Sequence, residues 1–385
     1  MRESYTRVSS TSSQGRAVDL TGFLLAWRTT TLPDREVVDG LVHPAHVGPS
    51  PALVAVLAQW PGNYYWSDEP DGRHLILTRP LARRRERWAP HILLFLATLY
   101  TITFAGAVLA GGIAYSGPLA FFTSGHPGYP GFLHAWSTGL PFSLSLIAIL
   151  LSHEMGHYVV ARYYQLDVSL PYFVPLPIPS FIGTMGAFIR LRTIVSDRRQ
   201  LLDIGVAGPI AGFVVALPLL IFGLMLSHPG APEEGLRGLV VYFGGAPQIP
   251  LGDSLVSLVL RRLLLGNAAT IDVHPVAFAG WVGMFVTMLN LLPMGQLDGG
   301  HILYARLPRW HQRVAVAFWL LIVALGSLWS GWYLWGGLVL LLSRGRLGHP
   351  PVLDVQRPLA APRRVLAWVA LLLFVITFAP APFRL

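Results

Sequence analysis

The sequence lacks cysteine and lysine, and only 12% of its 385 residues are charged. Without thiols, neither disulfide bonds nor thiolate metal ligands are available, so a bound metal must use histidine and carboxylate side chains. Soluble proteins carry about a quarter charged residues, so this fraction, with 53% hydrophobic residues, indicates a multi-pass membrane protein. The net charge of +9 comes wholly from arginine, which in a membrane protein reports orientation and contact with anionic lipid rather than nucleic-acid binding.

Seven apolar segments are predicted to cross the bilayer. They are His91–Ala114, Leu140–Tyr164, Ile204–Leu226, Pro275–Leu292, Val314–Leu328, Gly331–Leu342 and Val365–Phe378. The stretch 314–342 is too long for one straight span and contains Ser330-Gly331, which favours a hairpin of two short helices over one tilted helix. The predicted fold class is therefore an all-α polytopic membrane protein with about six or seven transmembrane helices.

The arginines sort to the two sides of these spans. One side receives the clusters at 79–87, 162–199, 306–313 and 344–364, and the other only Arg237, Arg261, Arg262 and Arg384. Because the arginine-rich side is normally cytoplasmic, we expect a multi-pass protein of a bacterial plasma membrane with a cytoplasmic N-terminus. The second span then runs inward.

The N-terminal part reads as a small α+β soluble domain, expected as a β-α-β-β module. Its signals are a strand at Leu20–Thr30, a helix at Pro51–Gln59 capped by Ser50, and a hairpin around Asp71-Gly72. We divide the chain into 1–88, a cytosolic tail with this domain, and 89–385, a transmembrane domain. The run Arg83–Arg87 precedes an apolar span, which favours a lipid-headgroup anchor over a nucleic-acid patch.

The second span contains His153, Glu154 and His157, in the pattern His-Glu-x-x-His. Ionisable side chains are costly to desolvate inside a membrane, so their presence indicates function. On a helix the two histidines share one face and can share one zinc ion, while the adjacent Glu154 can take a proton from an activated water. A chance match would leave two imidazoles and a carboxylate poorly paired in lipid.

The segment Val168–Arg192 is apolar but rich in proline, which forbids a regular helix. Unpaired backbone cannot face lipid, so the segment must be buried in protein or line a wet cavity. Gly183–Gly186 followed by Ala187–Leu191 suggests a turn and then a strand, hence a re-entrant β-hairpin-like segment; the alternative is a plain cytoplasmic loop. In the third span, Gly208 and Gly212 predict close helix packing.

A catalytic zinc needs a third protein ligand and an open position. Asp298 follows the helix breakers Pro293 and Gly295 after the fourth span, and Gly299-Gly300 permits a tight turn. Asp298 is thus a candidate ligand, with an N-cap role for a helix from His301 as the alternative and His301 as a competing ligand. Asn290 can either pack against another helix or donate a hydrogen bond to a developing oxyanion.

These motifs, in this order on membrane segments, resemble the site-two protease family of intramembrane zinc metalloproteases. The residues that carry the resemblance are His153–His157, Asn290–Pro293 and Leu297–Gly300, with support from Pro171–Pro177, Gly183–Ala187, Ala207–Gly212 and His349–Pro351. The likeness spans about 140 to 354, and it implies that 89–385 is a transmembrane metalloprotease domain. Many members have a PDZ domain between the two metal motifs, and the 228–273 loop is too short for one, which indicates the subgroup without a PDZ domain.

The resemblance implies one Zn²⁺ per chain held by His153, His157 and Asp298, with Glu154 as the general base and Asn290 as a substrate or transition-state contact. It also implies cleavage of transmembrane segments of membrane-anchored proteins, as in regulated intramembrane proteolysis. The expected partners are single-span membrane protein substrates and the lipid bilayer, without nucleic acid. The alternative is a non-catalytic membrane metalloprotein or transporter-like scaffold, but the sequence shows no repeated halves and retains Glu154.

Overall fold

The computed structural model divides into two compact units, which we describe separately: residues 1–86 with 191–194, and residues 87–190 with 195–385. The structure describes residues 19–31, 35–47, 50–80, 86–111, 132–176, 180–192, 195–230, 237–242, 249–350, 352, 354–355 and 358–383. Residues 1–18 of the predicted tail, residues 83–85 of the arginine run Arg83–Arg87, and Pro177 and Pro179 lie outside the described residues.

The first unit is a four-stranded antiparallel sheet with one helix. Its elements are β1 (Leu24–Thr31), β2 (Arg35–Val42), α1 (Pro51–Ala58), β3 (Asn63–Glu69) and β4 (Gly72–Pro80), and the strand order is β1-β2-β4-β3. Two strands precede the helix, so the predicted β-α-β-β order was wrong. The missed strand β2 contains Asp39-Gly40, residues that disfavour strands in isolation but here pair with both neighbours.

The predicted helix, its cap and the hairpin of this unit are confirmed, whereas the strand expected at Leu20–Thr30 begins only at Leu24. The Ser50 side chain accepts a hydrogen bond from the Leu53 amide at the start of α1, and β3 pairs with β4 across a turn at Pro70-Asp71. Leu53 and Leu57 of α1 pack on the sheet side chains Leu75 and Leu77, all of them buried. This core gives the unit its own hydrophobic interior.

The second unit is mostly helical. Its helices are α2 (Trp88–Leu109), α3 (Phe132–Tyr163), α4 (Arg198–Met225), α5 (Leu255–Leu265), α6 (Pro275–Asn290), α7 (Asp298–Arg306), α8 (His311–Leu325), α9 (Gly331–Leu342) and α10 (Ala361–Thr377). Within the described parts of the chain, three helices are long and apolar enough to cross a membrane: α2, the part of α3 from Trp136, and α4. Helices α6, α8 and α9 are shorter and apolar, so the chain is a membrane protein.

The stretch predicted as a helical hairpin does form two helices. Helix α8 ends at Leu325 and α9 begins at Gly331. The indole of Trp319 donates a hydrogen bond to the Gly336 carbonyl across the pair, at 3.0 Å. The alternative of one tilted helix is wrong.

The proline-rich segment forms a short antiparallel hairpin of β5 (Tyr172–Pro175) and β6 (Thr184–Phe188). Gly183, with φ of +76°, makes the turn into β6, so the strand begins at Thr184 rather than at the expected Ala187. Two side chains of α2 bind the hairpin: Thr101 Oγ1 donates to the Gly183 carbonyl at 2.6 Å, and His91 Nδ1 lies 3.1 Å from the Pro171 carbonyl. The hairpin therefore sits against α2.

A small sheet and an amphipathic helix follow α4. The sheet contains β7 (His228–Pro229), β8 (Gly238–Val241), β9 (Ile249–Pro250) and β10 (Thr270–Asp272), in the order β7-β10-β8-β9. Helix α5 begins at Leu255, and its N-cap Ser254 forms a reciprocal cap with Ser257. The exposed apolar side chains Leu255, Val259 and Leu263 recur every four residues along α5, the pattern of an interfacial helix.

Helices α3, α4 and α6 form the centre of the second unit. Glycines let their backbones approach closely: a Cβ on Gly156 would lie 2.5 Å from the Ala207 carbonyl oxygen, and one on Gly223 would lie 2.1 Å from the Ala277 nitrogen. Buried side chains of the same helices, such as Phe142, Leu220 and Phe278, surround these contacts. This packing fixes α3 against α4, the two helices on which the next site depends.

Candidate metal centre

The two histidines of α3 meet as their spacing predicts. His153 and His157 are 4% and 7% exposed, and their Nε2 atoms lie 3.2 Å apart. Their rings are roughly perpendicular, with centroids 4.9 Å apart. Two buried imidazole nitrogens at this distance must share either one hydrogen or one cation, because two lone pairs cannot bond each other.

The tautomer of His157 follows from its second nitrogen. Its Nδ1 lies 2.7 Å from the backbone carbonyl of Ile204 in α4. A carbonyl oxygen only accepts, so Nδ1 bears the hydrogen and donates it. In the neutral ring, Nε2 is then a lone-pair donor. This backbone contact is the kind of outer support that orients a metal-binding histidine.

Asp298 completes the group from a distant part of the sequence. Its Oδ2 lies 3.3 Å from Nε2 of both His153 and His157. The N-cap position of α7 is Leu297, and Asp298 is the first helical residue. The N-cap alternative is therefore wrong, and the carboxylate is free to point at the histidines.

The donor set fits a tetrahedral metal. Ligand distances of about 2.0–2.1 Å, as for zinc with nitrogen and oxygen, place tetrahedral ligand atoms about 3.3–3.4 Å apart. The three separations here are 3.2, 3.3 and 3.3 Å. Among the residues that the structure describes, these three side chains are the group of histidine and carboxylate ligands that could hold a metal ion.

Glu154 lies beside this group. Its side chain is buried, with 6% of the residue exposed, and its carboxylate lies beside the backbone of Ile189, just after β6. The hairpin thus reaches the centre next to the carboxylate. The sequence carried no signal for the Ile189 contact, because it depends on how the hairpin folds against α3.

The structure also separates the remaining candidates. Asn290, the last residue of α6, places Nδ2 3.2 Å from His153 Nε2, so it lies at the centre rather than only at a helix interface. His301 Nδ1 instead lies 2.7 Å from His349 Nε2. His301 is not part of the three-residue metal group.

The glycines of α4 line the same centre. Gly208 lies against the His157 ring and Gly212 against His153. The sequence pattern predicted close helix packing there, but it did not indicate that the metal-centre histidines occupy the space. Their position could be anticipated only by aligning the glycine face of α4 with the histidine face of α3.

Comparison with known proteins identifies the class. Residues 141–326 match the model of Peptidase family M50. The match contains His153, Glu154, His157, Asn290 and Asp298. The chain therefore carries a domain of peptidase family M50, the site-two protease family, as the resemblance predicted.

Curated relatives agree with the family. The chain is 33% identical over 250 residues to "Probable zinc metalloprotease EGY1, chloroplastic" of Arabidopsis thaliana, covering 63% of this chain and 43% of the relative. It is 32% identical over 215 residues to "Probable zinc metalloprotease EGY2, chloroplastic" of the same plant, covering 54% and 36%. The chain thus spans less than half the length of these relatives. No solved structure matches it significantly.

Proposed function

We propose that this chain is an intramembrane zinc endopeptidase with one Zn²⁺ held by His153, His157 and Asp298. The observation that supports this most directly is the convergence of three ligand atoms at tetrahedral spacing beside a buried glutamate. Zinc bound there supplies Lewis acidity that activates water and polarises the scissile carbonyl. The family and the names of the curated relatives agree with this chemistry.

In this proposal Glu154 is the general base and then the general acid. Its carboxylate takes a proton from the attacking water as the new C–O bond forms. It then gives that proton to the amide nitrogen as the C–N bond breaks. Burial keeps bulk water from competing for the carboxylate, and the adjacent Ile189 backbone restricts its orientation.

Asn290 has a supporting role. Its amide nitrogen is close to His153, so the N–H groups can donate to the carbonyl oxygen of a substrate peptide bond at the centre. Negative charge develops on that oxygen during attack, and a preorganised donor stabilises it.

The substrates proposed are transmembrane segments of single-span proteins, unwound at the scissile bond. A helix hydrogen-bonds its own peptide groups. A segment that unwinds in the membrane loses these bonds, so its backbone needs another hydrogen-bonding partner. Strand β6 pairs with β5 alone among the strands that the structure describes, and β6 ends next to the Ile189 contact with Glu154. An added substrate strand on β6 would place its peptide bonds beside the catalytic carboxylate.

The proposed topology has six or seven spans, with the hairpin re-entrant and the arginine-rich loops and N-terminus on the cytoplasmic side. The division at residue 88 and release of a membrane-tethered regulator belong to the same proposal. The bacterial plasma membrane remains a prediction; the curated relatives are named chloroplastic.

The function is tested with Glu154→Gln. This change keeps the size of the side chain and the three ligands, so we expect zinc content near wild type. Cleavage of a co-reconstituted single-span substrate should fall by about 10²–10⁴-fold, the range for a lost general base. Glu69→Gln, on the exposed end of β3, is the matched control and should cleave normally.

Two measurements decide the outcome: zinc by elemental analysis and product by gel and mass spectrometry. Undiminished cleavage by Glu154→Gln, with Glu69→Gln also active, would contradict the mechanism. Absence of zinc from the wild-type protein would contradict the metal centre itself.

A further inference from the structure

Helix α4 contacts both nitrogens of the His157 ring. The Ile204 carbonyl accepts from Nδ1 at 2.7 Å, and one helical turn further on, Gly208 lies beside Nε2. The ring thus lies across a single turn of α4. Nε2 is the atom that faces His153 and Asp298.

The space beside Gly208 is filled by this ring. A Cβ built on Gly208 would lie 2.0 Å from Nε2, 2.4 Å from Cε1 and 2.5 Å from Cδ2 of His157. All three nearest atoms belong to the imidazole and none to the backbone. Gly156, in the same helix pair, differs because its nearest neighbour is the Ala207 carbonyl oxygen. Helix packing alone therefore does not account for Gly208.

We infer that Gly208 is a positioning residue of the metal centre, needed so that the His157 ring can present Nε2 to the ion. A methyl group at this position leaves the ring two ways to move. It can move away from the Ile204 carbonyl, so that the hydrogen is no longer fixed on Nδ1, or it can turn Nε2 away from His153 and Asp298. Either movement weakens the donor set.

The neighbouring glycine provides a graded comparison. A Cβ on Gly212 would lie 3.2 Å from Cβ and Nδ1 of His153, which a small shift can relieve. Gly337 in α9 has no atom within 4 Å of the added Cβ. Alanine at Gly208, Gly212 and Gly337 should therefore crowd its neighbours severely, moderately and not at all, in that order.

The first experiment measures zinc binding, and so rests on the proposed zinc centre without depending on proteolysis. The full chain in detergent is stripped with chelator and titrated with Zn²⁺. Gly208→Ala should weaken zinc binding by at least about 10-fold, the lower range for lost support of a ligand. Gly212→Ala should have a smaller effect and Gly337→Ala none.

The second experiment separates ring crowding from general misfolding. Thermal unfolding is measured in chelator for wild type, Gly208→Ala, His157→Ala and the double variant. His157→Ala alone should lower the midpoint, since a buried ring and its hydrogen bond are lost. In the Gly208→Ala background the same change should raise the midpoint, because it removes the atoms that the methyl group meets.

The outcomes are distinguishable. Wild type that binds no zinc would contradict the proposed function. Wild type and Gly208→Ala that bind zinc equally would overturn the role of Gly208. So would a double variant that unfolds at or below the midpoint of Gly208→Ala, or one that does not fold, because the methyl group would then clash with something other than the ring.

Discussion

Replacing Asp298 by alanine should reduce zinc affinity far more than replacing His301. Both residues lie in the first turns of α7, and both could be ligands by sequence alone. The carboxylate of Asp298 lies 3.3 Å from two imidazole nitrogens, whereas His301 pairs with His349. The variant pair thus compares a ligand with a close neighbour of the ligand.

The magnitude follows from what each change removes. A residue that only supports a ligand changes metal affinity by about 10–100-fold. Loss of one of three protein ligands removes a direct bond and the only anionic donor of the set. The loss for Asp298→Ala should therefore exceed about 100-fold, or about 2.8 kcal/mol at 1.4 kcal/mol per tenfold. His301→Ala should change the affinity by less than about 10-fold, because His301 pairs with His349 and is not part of the donor set.

The assay is competition for Zn²⁺ against a chromophoric chelator in detergent, at fixed pH because ligands must be deprotonated. Asp298→Asn is the shape-matched variant: it keeps an oxygen donor without the charge, so it should fall between wild type and Asp298→Ala. A larger loss for His301→Ala than for Asp298→Ala would reassign the third ligand and refute the reasoning.

Three further predictions follow from the proposed topology and local contacts. Mass spectrometry of products should place the cut about 10 Å inside the cytoplasmic boundary, since His157 lies near the inward end of α3; a cut in the outer half of the substrate span would contradict the topology. Thr101→Val removes the hydrogen bond to the Gly183 carbonyl and should raise KM with zinc content unchanged. Thr101→Ser, which keeps the hydroxyl, should have a KM near wild type. An unchanged KM in Thr101→Val would show that this bond does not position the hairpin. Burial alone would raise the pKa of Asp197 at the start of α4, but hydrogen bonds from Arg199 and Gln200 outweigh it and lower the pKa below 3.8. The charged carboxylate therefore stabilises the fold above pH 3.8, and this stabilisation is lost as the pH falls through the folded-state pKa. The unfolding midpoint of Asp197→Asn should fall less on acidification than that of wild type, and an equal fall in both proteins would contradict this.

Short-range features of the fold were predictable from sequence. Caps such as Ser50 and Ser254, the turn between β3 and β4, and the paired histidines each depend on residues within one or two turns of each other. Strand β2 was missed because Asp39-Gly40 interrupts its pattern, and only pairing on both sides stabilises it. Strand identity there is decided by neighbours distant in sequence.

The third ligand shows where local reasoning stops. An aspartate before a helix predicts an N-cap, and a ligand role for the same residue needs knowledge of what it faces. The structure resolves this by one residue of register: Leu297 takes the cap position, so the Asp298 carboxylate enters the first turn and turns toward α3. A shift of one residue in the start of α7 would have given the other role.

At Gly208 the sequence predicts the packing but not the role of the residue at the metal centre. The small-residue pattern predicts close helix packing, and the packing is present, so the sequence expectation and the metal-centre role coincide in one residue. What distinguishes them is the identity of the nearest atoms, and that depends on the rotation of α3 relative to α4. The His157 ring contacts both the Ile204 carbonyl and Gly208, so the interface between α3 and α4 includes a member of the donor set. Substitutions at that interface should therefore change metal affinity before they change other properties.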